Sequence, residues 1–279
     1  MPPGILLIGA TCQADCWLRA HPSFVDAAID RAQGSAHALR LLRQRAYDAV
    51  VTDCTTSVDE DLALLEEMRE IRPLVKVVML TSAAAPEELI RALRARVFAV
   101  FNAPFEPCEV VEMVQLAVQE SEGREGIEVL SATRHWVRLR LDCRRLTAER
   151  ALSFLTQLRE RDIADPERAD LMLAVREVLM NAIEHGGGFD PDQVVELVAV
   201  RTARAIVFHI RDPGPGFEIG NLPHAAISNP PEDPTAHLDR RARAGLRAGG
   251  FGLLLARSIV NEMILSEQGN EILLVKHTA

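Results

Sequence analysis

The chain has 279 residues, with 48% hydrophobic and 25% charged residues and a formal net charge of −9. That length predicts two domains, each with its own core. The acidic charge excludes sequence-independent binding to nucleic acid, which needs a basic surface, and apolar runs well short of about 18 residues exclude a helical membrane span.

In chain order, Met1-Pro2-Pro3-Gly4 leads into Ile5-Leu6-Leu7-Ile8 without the basic flank and long apolar stretch of a signal peptide. A buried first strand and a cytoplasmic location are therefore expected. Candidate strands are Ile5–Gly9, a weaker one near Phe24–Ile29, Ala49–Asp53, Val75–Leu80 and Phe98–Phe101. Helical patterns lie at Ala36–Arg45, Asp59–Ile71, Pro86–Arg94 and Pro107–Gln119. This alternation predicts an α/β, flavodoxin-like doubly wound parallel sheet over residues 1–120. The polar, glycine-bearing stretch 121–126 is read as a linker, and 127–279 as a second domain.

In that second part a strand is expected at His135–Leu141 and a helix at Ala148–Arg161. Asp165-Pro166 is read as the cap of a longer helix over Glu167–Glu184. Val194–Val200 and Ala205–Ile210 read as a hairpin across Arg201-Thr202-Ala203-Arg204. A helix over Gly252–Asn261 follows, and Met263–Ser266 with Glu271–Lys276 closes the chain as a hairpin. Helices on one side of a mostly antiparallel sheet give an α/β sandwich. The five cysteines, Cys12, Cys16, Cys54, Cys108 and Cys143, form no C-x-x-C pair and no metal-ligand cluster with histidine, so reduced, partly buried thiols are expected.

Three constellations carry chemistry. On the long helix, Glu177, Asn181 and His185 recur at i, i+4 and i+8 beside the apolar stripe Leu171, Val175, Val178 and Ala182. Buried without partners such a polar row is costly, so it is expected to line a cleft. Asp212-Pro213-Gly214-Pro215-Gly216-Phe217 follows a strand; its glycines permit close backbone approach and its carboxylate can accept from an exocyclic amine. Gly249-Gly250-Phe251-Gly252 opens a helix, where backbone N–H groups and the helix dipole favour an anion.

The order and spacing of these elements, Glu-x-x-x-Asn-Ala-x-x-His-Gly at 177–186, Asp-x-Gly-x-Gly-Phe at 212–217 and Gly-x-Gly at 250–252, resemble the N, G1 and G2 boxes of the GHKL superfamily. The resemblance covers residues 127–279 and implies a GHKL (Bergerat) fold. It looks most like the anti-sigma-factor serine kinases of bacterial partner switching. It implies ATP and Mg as ligands. In its terms Glu177 is the general base, Asn181 the Mg-binding residue and Asp212 the reader of the adenine amine. Gly214 and Gly216 shape the nucleotide pocket, Gly250 and Gly252 contact phosphates, and His185 is structural. Glu218–Ala248 stands where such proteins carry an ATP lid, with Arg240, Arg241, Arg243 and Arg247 as phosphate clamps, partner contacts or a solvated helix face. The implied substrate is a serine or threonine of a STAS-type anti-anti-sigma protein, with a sigma factor as a second partner and homodimerisation common in the family.

Residues 1–120 resemble a response-regulator receiver. Asp53 ends the third strand, at the phospho-acceptor position, and Thr81 ends the fourth, at the switch-hydroxyl position. Gly9 and Ala10 stand in place of the acidic pair that binds Mg, and Ala103-Pro104-Phe105 in place of Lys-Pro-Phe. With Asp15, on the helix after the first strand, as the remaining nearby carboxylate, the domain is expected to have lost its phosphorylation chemistry. Two other readings stay open. One is a non-catalytic module that binds partners under nucleotide control. The other is a histidine kinase, whose phospho-accepting histidine would have to be His135, in an apparent strand.

Overall fold

Short runs of aliphatic and β-branched residues, most of them buried on both faces, build the first sheet. They are β1 (Gly4–Ile8), β2 (Ala28–Ala32), β3 (Ala49–Thr52), β4 (Val77–Thr81) and β5 (Ala99–Asn102). All pair in parallel, in the order β2-β1-β3-β4-β5. The crossovers are α1 (Ala14–Ala20), α2 (Ser35–Gln44), α3 (Val58–Ile71), α4 (Pro86–Arg94) and α5 (Pro107–Gln119). This is the flavodoxin-like doubly wound sheet expected. The computed structural model describes residues 2–9, 13–120, 123–158, 163–217, 233, 235 and 250–278. The chain divides into two units, Met1–Glu125 and Gly126–Ala279.

Local chemistry sets the element ends. Ser57 and Glu60 form a reciprocal capping box on α3, Glu60 N–H donating to Ser57 Oγ (3.3 Å) and Ser57 N–H to Glu60 Oε2 (2.8 Å). Pro86 and Pro107 open α4 and α5, where a missing N–H costs nothing. The second strand departs from expectation. Pro22–Phe24 is a 3₁₀ turn, capped as Ser23 N–H donates to the His21 ring (3.3 Å), and the strand begins only at Ala28.

The second unit is one antiparallel sheet in the order β10-β11-β9-β8-β7-β6. Its strands are β6 (Ile127–Thr133), β7 (Trp136–Asp142), β8 (Val194–Arg201), β9 (Ala205–Arg211), β10 (Glu262–Leu265) and β11 (Glu271–His277). β6 was not anticipated from the sequence. His135, read as part of a strand, lies in the β6–β7 turn. Alternation decides which face is covered: Val137, Leu139, Leu141, Val195, Leu197, Ala199, Ile206, Phe208, Ile210 and Leu274 are all buried. Against the unit's core pack α6 (Arg145–Leu158), α7 (Asp165–Asn181) and α8 (Gly252–Ile259). The opposite sheet face carries charged neighbours in register, Glu128–Arg140–Glu196–Arg211–Glu271. Exposed pairs of this kind contribute little stability and chiefly keep that face in water.

The N-cap position of α7 is Ala164, which makes no side-chain capping hydrogen bond, and the helix begins at Asp165. It does not run as an α-helix to Glu184: Ala182–Gly186 is a π turn, closed by Gly187 N–H donating to Ala182 O (2.9 Å). Such turns recur beside functional sites because the wider ring re-aims the backbone. Among the described residues no helix is long and apolar enough to cross a membrane, and the described cysteines are free, Cys16 and Cys108 being exposed rather than partly buried.

Candidate functional site

A cavity of about 270 Å³ opens between α7, the 212–217 loop and the start of α8. Val178, Ala182, Ile210, Leu253 and Ile272 supply apolar walls, while Asn181, His185 and Asp212 bring polar groups. Few polar groups in a largely apolar cleft is the usual make-up of a small-molecule site. Six of the residues named from the motifs therefore meet here: Asn181, Asp212, Gly214, Gly216, Gly250 and Gly252. His185, read as a structural position, is exposed and lines the cavity.

Glycines make the cavity possible. A Cβ on Gly252 would lie 2.4 Å from Glu177 Oε2, so the α8 entrance presses against that carboxylate. A Cβ on Gly186 would lie 2.2 Å from Asp212 Oδ1, at the other end of the site. Gly216 has φ +80 and Gly250 φ +91, conformations that favour glycine. From Glu177 to Asn181 the α-helix rises about 6 Å at roughly 1.5 Å per residue, and the π turn carries the chain on to Gly186. The cavity thus has the start of α8 at one end and Asp212 at the other; Glu177 does not line it but packs on Gly252 at the α8 end.

Asp212 is half-buried, and burial raises its carboxyl above the ordinary range. Working against that, Gly214 N–H donates to its Oδ1 at 2.8 Å and stabilises the charged form. Cys143 is buried beneath the same wall, where a Cβ on Gly187 would sit 2.1 Å from its sulfur. Burial first, then the carboxylates of Asp142, Asp190 and Asp212, push its thiol up to about 11, so it stays a protonated packing group. Sequence reasoning missed two features: Asn270, 8% exposed and bonded to Asp212, and the apolar walls Ile210, Leu253 and Ile272. A buried asparagine after a glycine reads as an ordinary turn, and wall residues look like core.

Ala10, Gly249 and Cys12 lie outside the described residues, as do Arg240, Arg241, Arg243, Arg247 and the rest of the segment from Glu218 to Ala248 except Asp233 and Thr235.

In the first unit Asp53 is buried at the end of β3, and its Oδ1 accepts from Thr55 N–H (3.0 Å) and from the Thr55 hydroxyl. Gly9 packs directly on it: a Cβ there would fall 1.8 Å from Asp53 Oδ2. Asp15 is drawn elsewhere, its two oxygens taken by Arg19 Nε (2.9 Å) and Arg31 Nη2 (2.6 Å). Thr81 donates to Asn102 Oδ1 (2.7 Å), which also accepts from Ala84 N–H (2.8 Å). Asp61 is buried as well. Burial raises its carboxyl, while the Thr52 and Thr56 hydroxyls donate to it at 2.7 Å each. Among the described residues no group of histidine, cysteine and carboxylate side chains is arranged to hold a metal.

Residues 139–276 match the family described as histidine kinase-like ATPase domain, and residues 23–115 the response regulator receiver domain. Similar solved structures include a CheY-like receiver domain protein from Methanospirillum hungatei JF-1, with 20% identity and a TM-score of 0.37 over 42% of this chain and 94% of that one. A response regulator from Thermotoga maritima has 18% identity and a TM-score of 0.38 over 43% of this chain and 100% of that one. No curated protein matched the chain.

Proposed function

We propose that this chain, a receiver domain joined to a histidine kinase-like ATPase domain, is an ATP-dependent protein serine/threonine kinase of the partner-switching type. Its substrate is a serine or threonine of a STAS-type anti-anti-sigma protein. A sigma factor is a second partner, and the receiver domain is regulatory. The observation that carries the reading is the cavity that gathers Asn181, Asp212 and the glycines at 214, 216, 250 and 252, with Glu177 packed on Gly252 just outside its lining. A nucleoside triphosphate laid along α7 fits this polarity, adenine toward Asp212 and phosphates toward the helix N-terminus. Glycines let the segments around the cleft pack this closely, since a Cβ would collide with Asp212 at 186, with the Gln268 carbonyl at 216 and with Glu177 at 252.

Asn181 lines the cleft between the two ends. Its amide oxygen suits Mg, which favours oxygen ligands and draws most of the others from phosphates and water. When bound, that ion neutralises charge on the phosphates. Phosphoryl transfer asks a protein mainly for positioning and charge neutralisation. Glu177 then orients the attacking hydroxyl and accepts its proton, Gly250 and Gly252 present backbone to the phosphates, and Asp212 fixes the base. A histidine-kinase reading is disfavoured because His135 sits in a hairpin turn and not on a helix that pairs two chains. The test is incubation of the full chain with Mg and γ-labelled ATP and a purified STAS-domain protein, followed by phosphoamino-acid analysis. Label on serine or threonine is expected; nucleotide binding with no transfer would favour a non-catalytic binding module instead.

A further inference from the structure

We infer that Asn270, in the turn between the last two strands, is a positioning residue for purine selectivity, acting through Asp212. The inference rests on the reading of the cleft as an ATP site. β9 and β11 pair in register up to Arg211 opposite Glu271, so Asp212 and Asn270 form the next rung. There the main chain supplies one bond, Asp212 N–H donating to Asn270 O at 3.0 Å. The Asn270 side chain supplies the other, its Nδ2 donating to Asp212 O at 3.3 Å. A side-chain amide thus stands in for a ladder bond at the residue whose carboxylate faces the cleft.

The turn that carries Asn270 is itself braced and locked onto the cleft loop. Ser266 Oγ accepts from Gly269 N–H (3.1 Å) and from Glu271 N–H (3.2 Å). Gly269, at φ +79, approaches Phe217 so closely that a Cβ would lie 1.8 Å from the Phe217 carbonyl oxygen. Gly216 meets Gln268 in the same way, its Cβ position 1.9 Å from the Gln268 carbonyl oxygen. Two backbones therefore cross in contact where the turn meets the 212–217 loop. Movement of the turn has to move Gly216 and Phe217, both of which line the cavity, and Asp212 with them. Asn270 is 8% exposed, so solvent does not readily replace its bond.

Selectivity should then depend on Asn270 although it does not line the cavity. A site built around a hydrogen bond to one exocyclic group rejects analogues that lack it, provided the acceptor is held in place. Asn270→Asp keeps the side-chain shape but replaces the N–H donor with a charged carboxylate oxygen that repels the Asp212 carbonyl; Asn270→Ala removes donor and shape without adding charge. The experiment is calorimetry on the full chain with Mg-ATP and Mg-GTP, for wild type, Asn270→Asp, Asp212→Asn and the double variant, with a thermal melt of each. The ATP-over-GTP preference should shrink by about ten-fold in Asn270→Asp, on the scale of one lost hydrogen bond. The double variant should then lose little more than Asp212→Asn alone, because both changes act on one carboxylate. Unchanged preference in a folded Asn270→Asp, or losses that simply multiply, would overturn the positioning role while leaving ATP binding intact. Should Asn270→Asp fail to fold, Asn270→Ala is judged by the same two ratios. A wild-type chain that binds neither nucleotide would overturn the ATP reading and this inference together.

Discussion

Replacing Asp212 by asparagine isolates the chemistry of the proposed adenine end. The change is isosteric, and Oδ1 can still accept from Gly214 N–H, a bond of 2.8 Å. What is lost is the second carboxylate oxygen, exchanged for an NH₂ group that faces the ligand's amine donor to donor. A hydrogen bond to a charged group is worth about 1.5–3 kcal/mol, so ATP affinity should fall roughly 10- to 150-fold at about 1.4 kcal/mol per decade. The pH dependence follows from burial, which raises the Asp212 carboxyl. The ionised form binds the amine, so wild-type affinity should fall as pH drops through that raised value, beginning above the ordinary carboxylate range. The asparagine variant cannot titrate there, and the difference between the two proteins should close toward low pH. Calorimetry of the full chain with Mg-ATP across pH measures both effects. Equal affinities at neutral pH would refute the assignment of Asp212 as the group that reads the base.

Gly186→Ala places a Cβ 2.2 Å from Asp212 Oδ1, which forces the carboxylate or the π turn to shift; overpacking of this kind costs about 1–3 kcal/mol. A lowered melting temperature with weakened ATP binding is expected, and unaltered binding would mean that Asp212 yields without loss. In the receiver domain, incubation with Mg and a small phosphodonor should add no phosphoryl group to the intact mass. The reasons are that Gly9 packs on Asp53 without a side-chain ligand, Asp15 is held by two arginines, and Ala103 supplies no ammonium. A phosphoryl group present in wild type and missing in Asp53→Ala would restore a working receiver.

The receiver sheet was legible because each signal there is local. Prolines at the first turns of α4 and α5 and continuous aliphatic runs in β3 and β4 mark themselves. β6 was hidden for a physical reason: its register slips between Val129 and Ser131, which breaks the alternation that would have identified it. The apolar pull of Phe24 and Val25 placed the second strand too early, because periodicity carries no information about the 3₁₀ turn at Pro22. Likewise Asn181 and His185 meet at the cavity as their spacing suggested, whereas Glu177 lies outside its lining, and the π turn that delivers Gly186 against Asp212 was not legible. Of the site, the parts fixed by residue type along the chain were readable. The parts fixed by contact across the sheet, Asn270 above all, needed coordinates.

Glu177 bears most directly on the central claim. Its carboxylate lies against Gly252 at the α8 entrance, away from Asp212, so Glu177→Gln should leave Mg-ATP affinity nearly unchanged. Loss of general-base help is typically worth ~10²- to 10⁴-fold. Single-turnover transfer from γ-labelled ATP to a STAS-domain protein, measured with wild type and Glu177→Gln at saturating nucleotide, is the deciding comparison. A fall in transfer rate of that size with binding retained is the predicted result, whereas equal rates in the two proteins would contradict the account.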